Sequence, residues 1–378
     1  MNASTTSSPP ADLVSIRRQI DTMLADFVAA KARAATATRL PVDLAEAVRE
    51  FLSAGGKRIR PLLCVLGWLA AGGSPDIPES VLRAAGALEM FHAAVLIHDD
   101  IIDSSDTRRD RPTAHRALAV RHQTRSDADC FGEHAAILLG DLAFIWSGEL
   151  LHTAGLTPRM LTAALSVLDA MRGDVQYGQY LDLLATGHPD ADLDRALQII
   201  RYKTVAYTCQ RPLQLGAALA DAAPEVHAAL LAYASPLGEA FQLRDDLLGV
   251  FGDPAVSGKS SADDLRDGKH SALIAIAFAR ADAAQAAQLR ALLGNPELDE
   301  KAAAHCRAII AATGAATEIG RMIAGRRDLA LAALDARPLP PSASNALRAM
   351  AIRITAIDTS SVTAAHPAEI RQPEGVKP

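Results

Sequence analysis

The sequence of 378 residues has few aromatic residues, no C-x-x-C pair and no surplus of basic charge. Aromatic residues make up 4%, and runs of β-branched residues are scarce, which disfavours strands. The four cysteines, at positions 64, 130, 209 and 306, are dispersed. They argue against a structural zinc site or a disulfide framework and fit a reducing compartment. A formal net charge of −6 gives a nucleic-acid partner no overall electrostatic support.

Recognisable targeting and membrane-spanning segments are also missing. Residues 1–11 lack the basic and apolar regions of a signal peptide, so we predict a disordered lead. The longest apolar stretches, such as residues 61–73, are far shorter than a bilayer span. Residues 358–378 are rich in serine, threonine, proline and charge, which predicts a disordered tail. We therefore predict a cytoplasmic protein with no transmembrane segment.

Alanine and leucine, in contrast, are abundant, and apolar residues recur at intervals of three and four. This composition and spacing continue from residue 12 to residue 357 and predict one all-α domain, a bundle of ten or more helices. The predicted helices used below are 79–103, 135–154, 158–185, 193–219 and 224–251. Glycine, proline and charge in residues 251–269 predict a loop that lines a site.

Three aspartates, Asp99, Asp100 and Asp103, stand at the end of a mainly apolar predicted helix. Helical geometry places Asp99 and Asp103 one turn apart on one face, with Asp100 at its flank. Carboxylates this close repel one another unless a cation lies between them. Magnesium binds carboxylate oxygens and commonly completes its shell with substrate phosphates, so the cluster predicts a magnesium site. An acidic helix end facing solvent is the plainer alternative.

A second acid pair, Asp245–Asp246, interrupts another apolar helix. Alone it could be an ordinary polar flank, neutralised by the neighbouring Arg244. Two acid clusters on facing helices, however, could hold two or three metal ions around one diphosphate. The sequence therefore predicts one metal-dependent diphosphate site between two helices.

A cationic element, Lys57 and Arg60, follows the glycines Gly55 and Gly56. Glycine lets the backbone approach a ligand, and lysine and arginine bind phosphate oxygens. The spacing of a Walker A loop is absent, and a solvated basic turn is the alternative. His92 lies two turns before the first aspartate on nearly the same face. There it is either a ligand or a core histidine whose hydrogen bonds are made within the protein.

Taken in order, these motifs resemble those of the trans-isoprenyl diphosphate synthases of the polyprenyl synthetase family, most of all the geranylgeranyl diphosphate synthases. The resemblance covers residues 40–275. The matching positions are G-G-K-x-x-R-P at 55–61, histidine at 92, D-D-x-x-D at 99–103, R-R at 108–109, P-T at 112–113, G-D at 140–141, G-Q-x-x-D-L at 178–183, K-T at 203–204, F-Q-x-x-D-D at 241–246, and G-K at 258–259 and 268–269. It implies the type I isoprenoid synthase fold, with helices around a central cavity, and a homodimer.

The resemblance also implies a role for each matching residue. Two or three magnesium ions would be coordinated by Asp99, Asp103 and Asp245, with Asp100 and Asp246 in support. The residues implied to hold an allylic diphosphate are Arg108, Lys203, Lys259 and Lys269. Those implied to hold isopentenyl diphosphate are Lys57, Arg60, His92 and Arg109. Those implied to line the reacting centre are Gln179, Thr204 and Gln242.

The implied reaction condenses isopentenyl diphosphate with dimethylallyl, geranyl or farnesyl diphosphate to a longer all-trans prenyl diphosphate. Bulky side chains one and two turns before the first aspartate act in this family as a floor for the growing tail. Ala94 and Val95 are modest there, whereas Phe91 is large and about 12 Å from Asp99 along the helix. We therefore expect geranylgeranyl diphosphate as the product, with longer products as the alternative. Phe91 could also be an ordinary core residue with no effect on product length.

Two positions depart from the family pattern. Gly249 stands where many members carry a third aspartate, and Asp110 stands where glycine is usual. They predict weaker metal affinity and extra negative charge beside a diphosphate, respectively. A terpene cyclase of the same architecture is an alternative, but it needs no set such as Lys57, Arg60 and His92. A non-catalytic subunit of a heteromeric prenyl synthase is the other alternative.

Overall fold

The alanine- and leucine-rich segments form helices along most of the described chain, which in this computed structural model comprises residues 11–252 and 262–357. The first ten helices are α1 (Leu13–Ala37), α2 (Asp43–Ser53), α3 (Ile59–Ala70), α4 (Glu79–Ile102), α5 (Ala114–Arg121), α6 (Ala128–His152), α7 (Pro158–Ala185), α8 (Leu193–Ile199), α9 (Arg211–Leu219) and α10 (Pro224–Phe251). The later helices are α11 (Asp263–Arg266), α12 (Ala272–Arg280), α13 (Ala283–Leu292), α14 (Glu300–Ala312), α15 (Ala315–Ala336) and α16 (Pro341–Thr355). The predicted all-α class is confirmed. The predicted tail and all but the last residue of the predicted lead lie outside the described residues.

Two groups of buried apolar residues form the core, and α10 belongs to both. Leu230 and Leu237 of α10 pack in the first group, with residues of α1 to α4, α6, α7, α9 and α16. Leu243 and Leu247 pack in the second, with residues of α8 and α12 to α15. Because α10 passes from one group to the other, its polar residues lie where the two meet.

The segment Ile200–Gln210, between α8 and α9, is π-helical, although the sequence predicted one continuous helix there. It packs against α7 and α10. A Cβ atom at Gly178 of α7 would fall closer than 3.0 Å to the backbone nitrogen of Lys203, so glycine allows this approach. Long π-helical stretches are uncommon and often accompany functional sites. This segment carries Lys203, Thr204 and Tyr207.

A short antiparallel pair of strands, β1 (Thr107–Arg108) and β2 (Arg111–Pro112), follows α4 and was not predicted. The turn residues Arg109 and Asp110 have φ values of +56° and +59°. Tight hairpin turns require this left-handed conformation, which glycine adopts freely and aspartate tolerates better than most residues. The unusual Asp110 is therefore a turn residue, and its side chain is exposed.

Two helices, α4 and α6, are long and apolar enough to cross a membrane by length and composition alone. Of their most apolar 18-residue windows, 67% of that in α4 and 44% of that in α6 is buried inside the protein. Core helices meet the same criteria, so these two give only weak support for a membrane span. Helix α4 also carries the first aspartate cluster into the bundle.

Candidate active site

The first aspartate cluster lies at the end of α4, opposite α7 and the π-helical segment. Asp99 accepts a hydrogen bond from Gln179 Nε2 at 3.0 Å and lies 3.5 Å from Lys203 Nζ. Lys203 makes a shorter ion pair, of 2.6 Å, with Asp182 of α7. Burial alone would lower the pKa of Lys203, but Asp99 and Asp182 outweigh it and raise that pKa. The lysine therefore stays charged between two carboxylates.

Asp100 is fully buried and already engaged. Arg108 Nε donates to its two carboxylate oxygens at 2.8 and 2.9 Å, and a second nitrogen of Arg108 lies 2.5 Å from Oδ1. The same guanidinium lies 3.5 Å from Asp99. This geometry suits Asp100 for holding Arg108 at the cavity wall. Its predicted part in metal binding stays a prediction.

The second acid pair faces the cavity from α10. Asp245 is 44% exposed, with Arg244 at 3.7 Å. Asp246 accepts a hydrogen bond from Gln242 Nε2 at 2.7 Å, and Gln242 Oε1 accepts one from Thr204 Oγ1 at 2.7 Å. Burial raises the pKa of Asp246 to about 7, and nearby carboxylates add to the rise while Gln242 opposes it. The α10 wall thus carries two carboxylates, and burial draws one of them, Asp246, towards its neutral form.

Lys269 links the first acid cluster to two further carboxylates, Asp264 and Asp267. Its Nζ lies 3.3 Å from Asp103, 3.4 Å from Asp264 and 3.8 Å from Asp267. Burial alone would lower the pKa of Lys269, but these carboxylates raise it well above its usual value. Burial raises the pKa of Asp103, and Lys269 opposes that rise. Lys259, the other lysine predicted here, lies outside the described residues.

Asp264 of α11 lies directly over Gly249 of α10. A Cβ atom at position 249 would fall closer than 3.0 Å to Asp264 Oδ2, which real Cβ contacts essentially never do. The carboxylate therefore uses the space that any larger residue at 249 would need. It stands in the same cavity wall as Asp245 and Asp246. A third acidic group is thus present, from a different helix.

The predicted cationic set begins at Lys57, in a loop that Arg58 holds in place. Arg58 is 6% exposed, and it pairs with Glu89 of α4 at 2.6 Å and with Asp21 of α1 at 2.8 Å. Arg109 donates to the carbonyl of Gly55 in the same loop. Lys57, in contrast, is exposed and lines the cavity. Arg58 is therefore a structural support for the loop that presents Lys57.

Arg60 and His92 meet on one aromatic ring. The guanidinium carbon of Arg60 lies 4.0 Å from the ring centroid of Tyr207, and Arg60 donates to Thr208 Oγ1 at 2.7 Å. His92 Nδ1 lies 2.9 Å from the Tyr207 hydroxyl. The two predicted ligands on α3 and α4 are thus brought together by the π-helical segment.

Phe91, the predicted floor for the growing tail, is 1% exposed and contacts two other aromatic rings. Its ring centroid lies 5.7 Å from that of Phe144 and 5.9 Å from that of Tyr207. Ala94 is buried as well, whereas Val95 is partly exposed. Phe91 is therefore fixed by packing one turn below the modest side chains at positions 94 and 95.

Many of these residues line one cavity of about 540 Å³. Its predicted members are Lys57, Arg108, Lys203, Thr204, Gln242, Asp245, Asp246 and Lys269. Asp99 and Asp103 adjoin it through the ion pairs of Lys203 and Lys269. Acidic groups thus stand on both walls with lysines between them, a charge pattern that suits a polyanion bound together with cations.

The donor set also fits magnesium. Within residues 11–252 and 262–357, no three acidic, histidine or cysteine side chains converge closely enough to hold a metal ion by themselves. Magnesium, however, keeps several waters and is usually bound by one or two carboxylates together with substrate phosphates. Asp99 and Asp103 on one wall and Asp245 on the other are oxygen donors of this kind.

Comparison with known proteins agrees with this geometry. Residues 41–310 match the model of the polyprenyl synthetase family. The chain belongs to that family. A short chain isoprenyl diphosphate synthase of Methanocaldococcus jannaschii is 33% identical over 258 residues, which cover 68% of this chain and 73% of that protein. A geranylgeranyl diphosphate synthase of Methanosarcina mazei is 34% identical over 239 residues, 63% of this chain and 68% of that one.

Solved structures of the family extend the likeness to the whole fold. A geranylgeranyl pyrophosphate synthase from Corynebacterium glutamicum, complexed with isoprenyl diphosphate and magnesium, superposes with a TM-score of 0.84. It is 40% identical, and the match covers 89% of this chain and 98% of that one. The predicted family, helical fold and enzyme class are confirmed: the chain is a prenyltransferase that makes longer prenyl diphosphates.

Three residues of this polyprenyl synthetase site had no predicted role: Asp182, Asp264 and Tyr207. Asp182 lies within the predicted helix 158–185, three residues after Gln179, so its place beside Lys203 could have been inferred from helical spacing. Asp264 comes from a short helix in a segment predicted as a loop, and no periodicity marks it. Tyr207 reads as an ordinary core aromatic residue, and only its contacts single it out.

Changing Gly249 to aspartate, the residue many family members carry, should impair this enzyme. The new side chain must displace Asp264, so we expect Gly249→Asp to lower activity and raise the magnesium concentration needed for half-maximal rate several-fold. Gly249→Ala should have a smaller effect, because its Cβ atom meets only the end of the Asp264 side chain, which can turn aside. The double variant Gly249→Asp with Asp264→Gly should recover part of the loss. Magnesium titrations of the initial rate would check this, and an improved Gly249→Asp enzyme would contradict it.

Proposed function

We propose that this prenyltransferase condenses isopentenyl diphosphate with an allylic diphosphate, namely dimethylallyl, geranyl or farnesyl diphosphate, to form geranylgeranyl diphosphate. The proposal rests mainly on two neighbouring groups of cationic side chains that have different surroundings. Lysines held between carboxylates occupy the cavity between α4 and α10, called here the upper site. Lys57, at the edge of that cavity, forms a lower site with Arg60, His92 and Arg109, where the nearby carboxylates Glu89 and Asp100 are paired with Arg58 and Arg108. One site suits a diphosphate bound with metal ions, and the other suits a diphosphate bound by cationic side chains alone.

The residues of the upper site would bind and activate the allylic substrate. Asp99, Asp103 and Asp245 would hold two or three magnesium ions, whose positive charge stabilises the departing diphosphate. Arg108, Lys203 and Lys269 line the same space and would contact its oxygens, because their charges are maintained by Asp100, Asp182 and Asp264. Lys259 is proposed here by resemblance alone.

The residues of the lower site would orient the second substrate. Lys57, Arg60, His92 and Arg109 would hold the diphosphate of isopentenyl diphosphate, so that its double bond faces C1 of the allylic chain. As the allylic C–O bond breaks, its electron pair stays with the leaving oxygen, and the double bond forms the new C–C bond. The proton then lost from C2 would pass to an oxygen of the departing pyrophosphate. Thr204, Gln179 and Gln242 would line this centre, and in support Thr204 donates to Gln242 and Gln179 donates to Asp99.

The alternatives have less support. A terpene cyclase needs no second diphosphate site, whereas Lys57, Arg60 and His92 are present, and the relatives compared are prenyl diphosphate synthases. A non-catalytic subunit would be expected to lose the first acid cluster, and Asp99 and Asp103 are retained. We also propose a cytoplasmic location, which suits the free thiols of the four cysteines.

We further propose a homodimer, formed through α6 and α7. One face of α6 exposes Ile137, Leu138, Phe144 and Ile145, with exposed fractions of 44%, 60%, 42% and 61%. On α7, Tyr177, Tyr180 and Leu184 are at least 58% exposed. The two helices meet where Arg172 of α7 lies 5.0 Å from the ring centroid of Phe144. Apolar patches of this kind commonly mark interfaces between copies of one chain.

The first test is elongation by the purified protein with magnesium, labelled isopentenyl diphosphate and each allylic primer in turn. We expect magnesium-dependent formation of geranylgeranyl diphosphate. Asp99→Asn should lower the rate by roughly two orders of magnitude or more, because metal charge stabilisation supplies several kcal/mol. Asp129→Asn, at a carboxylate that is 83% exposed, is the control and should change little. No elongation with any primer would favour the non-catalytic subunit.

Product length should respond to the floor in both directions. Phe91→Ala should shift products beyond geranylgeranyl diphosphate, and Ala94→Phe should shorten them towards farnesyl diphosphate. Phe91→Ala should also cost about 3–5 kcal/mol of stability, as large cavities do. Phe278→Ala, in the second core, removes a similar ring without touching the floor and should leave product length unchanged. Chromatography of the dephosphorylated products measures this, and an unchanged Phe91→Ala distribution would make that ring ordinary core.

The proposed dimer surface can be tested by charge. The pair Leu138→Glu with Ile145→Glu should convert the dimer to a monomer in light scattering coupled to size-exclusion chromatography. The matched control is Leu329→Glu with Ile352→Glu, at residues that are 60% and 56% exposed on α15 and α16. That control should stay dimeric. A wild-type monomer, or a dimer that survives both changes on α6, would refute the interface.

A further inference from the structure

Tyr207 joins two residues that we propose as ligands of isopentenyl diphosphate. Its side chain is 2% exposed. The hydroxyl lies 2.9 Å from His92 Nδ1, and the guanidinium carbon of Arg60 lies 4.0 Å from the ring centroid. The ring of Phe91 meets it edge-on, with centroids 5.9 Å apart and planes at 84°. Tyr207 is therefore fixed on three sides, with its hydroxyl aimed at one nitrogen of His92.

His92 carries a single ring proton at neutral pH. Burial lowers the pKa of His92 well below its usual value, and the nearby Arg60, Arg108, Arg109 and Arg58 lower it further. Burial also raises the pKa of Tyr207, so its hydroxyl stays protonated. Two hydrogen-bonding arrangements then remain: either Tyr207 donates to Nδ1, or Nδ1–H donates to the Tyr207 oxygen.

The first arrangement is favoured because it gives the hydroxyl hydrogen of Tyr207 an acceptor. If Nδ1–H were the donor, the buried Tyr207 hydrogen would need another acceptor, and among the described residues its oxygen bonds only to His92. Leaving a buried hydroxyl hydrogen unpaired is costly. If Tyr207 donates, its hydrogen is satisfied and the histidine proton must be on Nε2. That nitrogen has no partner among the described residues and is not fully buried.

We propose that Tyr207 is a positioning residue, whose hydroxyl fixes His92 in the Nε2–H tautomer so that Nε2 donates to the diphosphate of isopentenyl diphosphate. The inference rests on the proposed function for the identity of that anion. A neutral donor suits this place, because four arginines already surround His92 and a charged imidazole would be repelled. An unprotonated Nε2, in contrast, would turn a lone pair towards phosphate oxygens. The same ring supports Arg60, so one side chain orients two ligands.

The direct test is the tautomer of His92 in the whole protein without substrate. Histidine-labelled protein would be studied by nitrogen-15 NMR, with His92→Gln identifying its signals among the 11 histidines. We expect a protonated Nε2 and an unprotonated Nδ1 in the wild type. Titration with isopentenyl diphosphate should shift Nε2 more than Nδ1. A protonated Nδ1 in the wild type would overturn the proposal.

The matched variants are Tyr207→Phe and Tyr233→Phe. Tyr207→Phe keeps the ring beneath Arg60 but removes the hydroxyl, so His92 should become a mixture of tautomers. The KM for isopentenyl diphosphate should rise roughly three- to tenfold, the factor that one neutral hydrogen bond contributes, while the KM for the allylic substrate stays within about twofold. Tyr233 also buries its hydroxyl, which donates to the Leu347 carbonyl at 2.7 Å. Tyr233→Phe should lower thermal stability and leave both KM values and the tautomer unchanged.

The outcomes separate this inference from the proposed function. An unchanged tautomer in Tyr207→Phe, or an equal rise in both KM values, would overturn the positioning role. A protonated Nε2 in a wild type that neither binds nor elongates isopentenyl diphosphate would support the tautomer assignment and refute the proposed function instead.

Discussion

The site depends on an excess of carboxylate that only cations can hold together. Lys203 is shared by Asp99 and Asp182, and Lys269 is shared by Asp103, Asp264 and Asp267. Burial raises the pKa of Asp103 and raises that of Asp246 to about 7, and neighbouring carboxylates add to both rises. A diphosphate would draw both lysines towards its oxygens and leave the aspartates exposed to one another. Under the proposed function, metal cations would then replace the lysines, so diphosphate and metal would each favour binding of the other.

The scaffold keeps this arrangement in place by using separate helices for separate charges. Asp100 is fully buried to hold Arg108, and Asp264 comes from α11 to lie over Gly249 of α10. Neither carboxylate occupies a position of the predicted metal-binding motifs at 99, 103 and 245, yet the two fix the positions of the positively charged Arg108 and Lys269. The weaker metal affinity predicted from Gly249 stays a prediction, and Asp264 of α11 supplies an acidic group beside that position. Asp110, the other departure, is explained by the backbone of a hairpin turn rather than by its charge.

Much of this could be predicted from the sequence, because α4, α7 and α10 are long helices whose few polar residues are separated by fixed helical spacing. Asp99 and Asp103, and Asp245 and Asp246, were singled out in this way, whereas Gln179 came only from the resemblance to the family; the helix 158–185 has the bounds that were predicted. The rest depends on contacts between distant segments. The π-helical turn at Lys203 has an ordinary helical sequence, and the two-residue strands at 107–112 are too short for any periodicity. Helix α6 begins at Ala128 rather than at 135, since the polar first turn resembles a loop.

The two halves of the site use electrostatics in opposite ways, and this separates their tasks. In the upper half, carboxylates and lysines are numerous and their charges nearly balance. A strongly charged leaving group can therefore take over the lysine contacts that the carboxylates now make. In the lower half, the carboxylates that act on Arg109 are Glu89 and Asp100, which pair with Arg58 and Arg108, and burial lowers the pKa of His92 and of Arg109. Under the proposed function, an anion bound there would be held by these side chains without metal, so its C–O bond would not be activated as metal ions activate the other. The diphosphate that leaves would then differ from the diphosphate that stays because one lies among lysine-bound aspartates and the other beside carboxylates already paired with arginine.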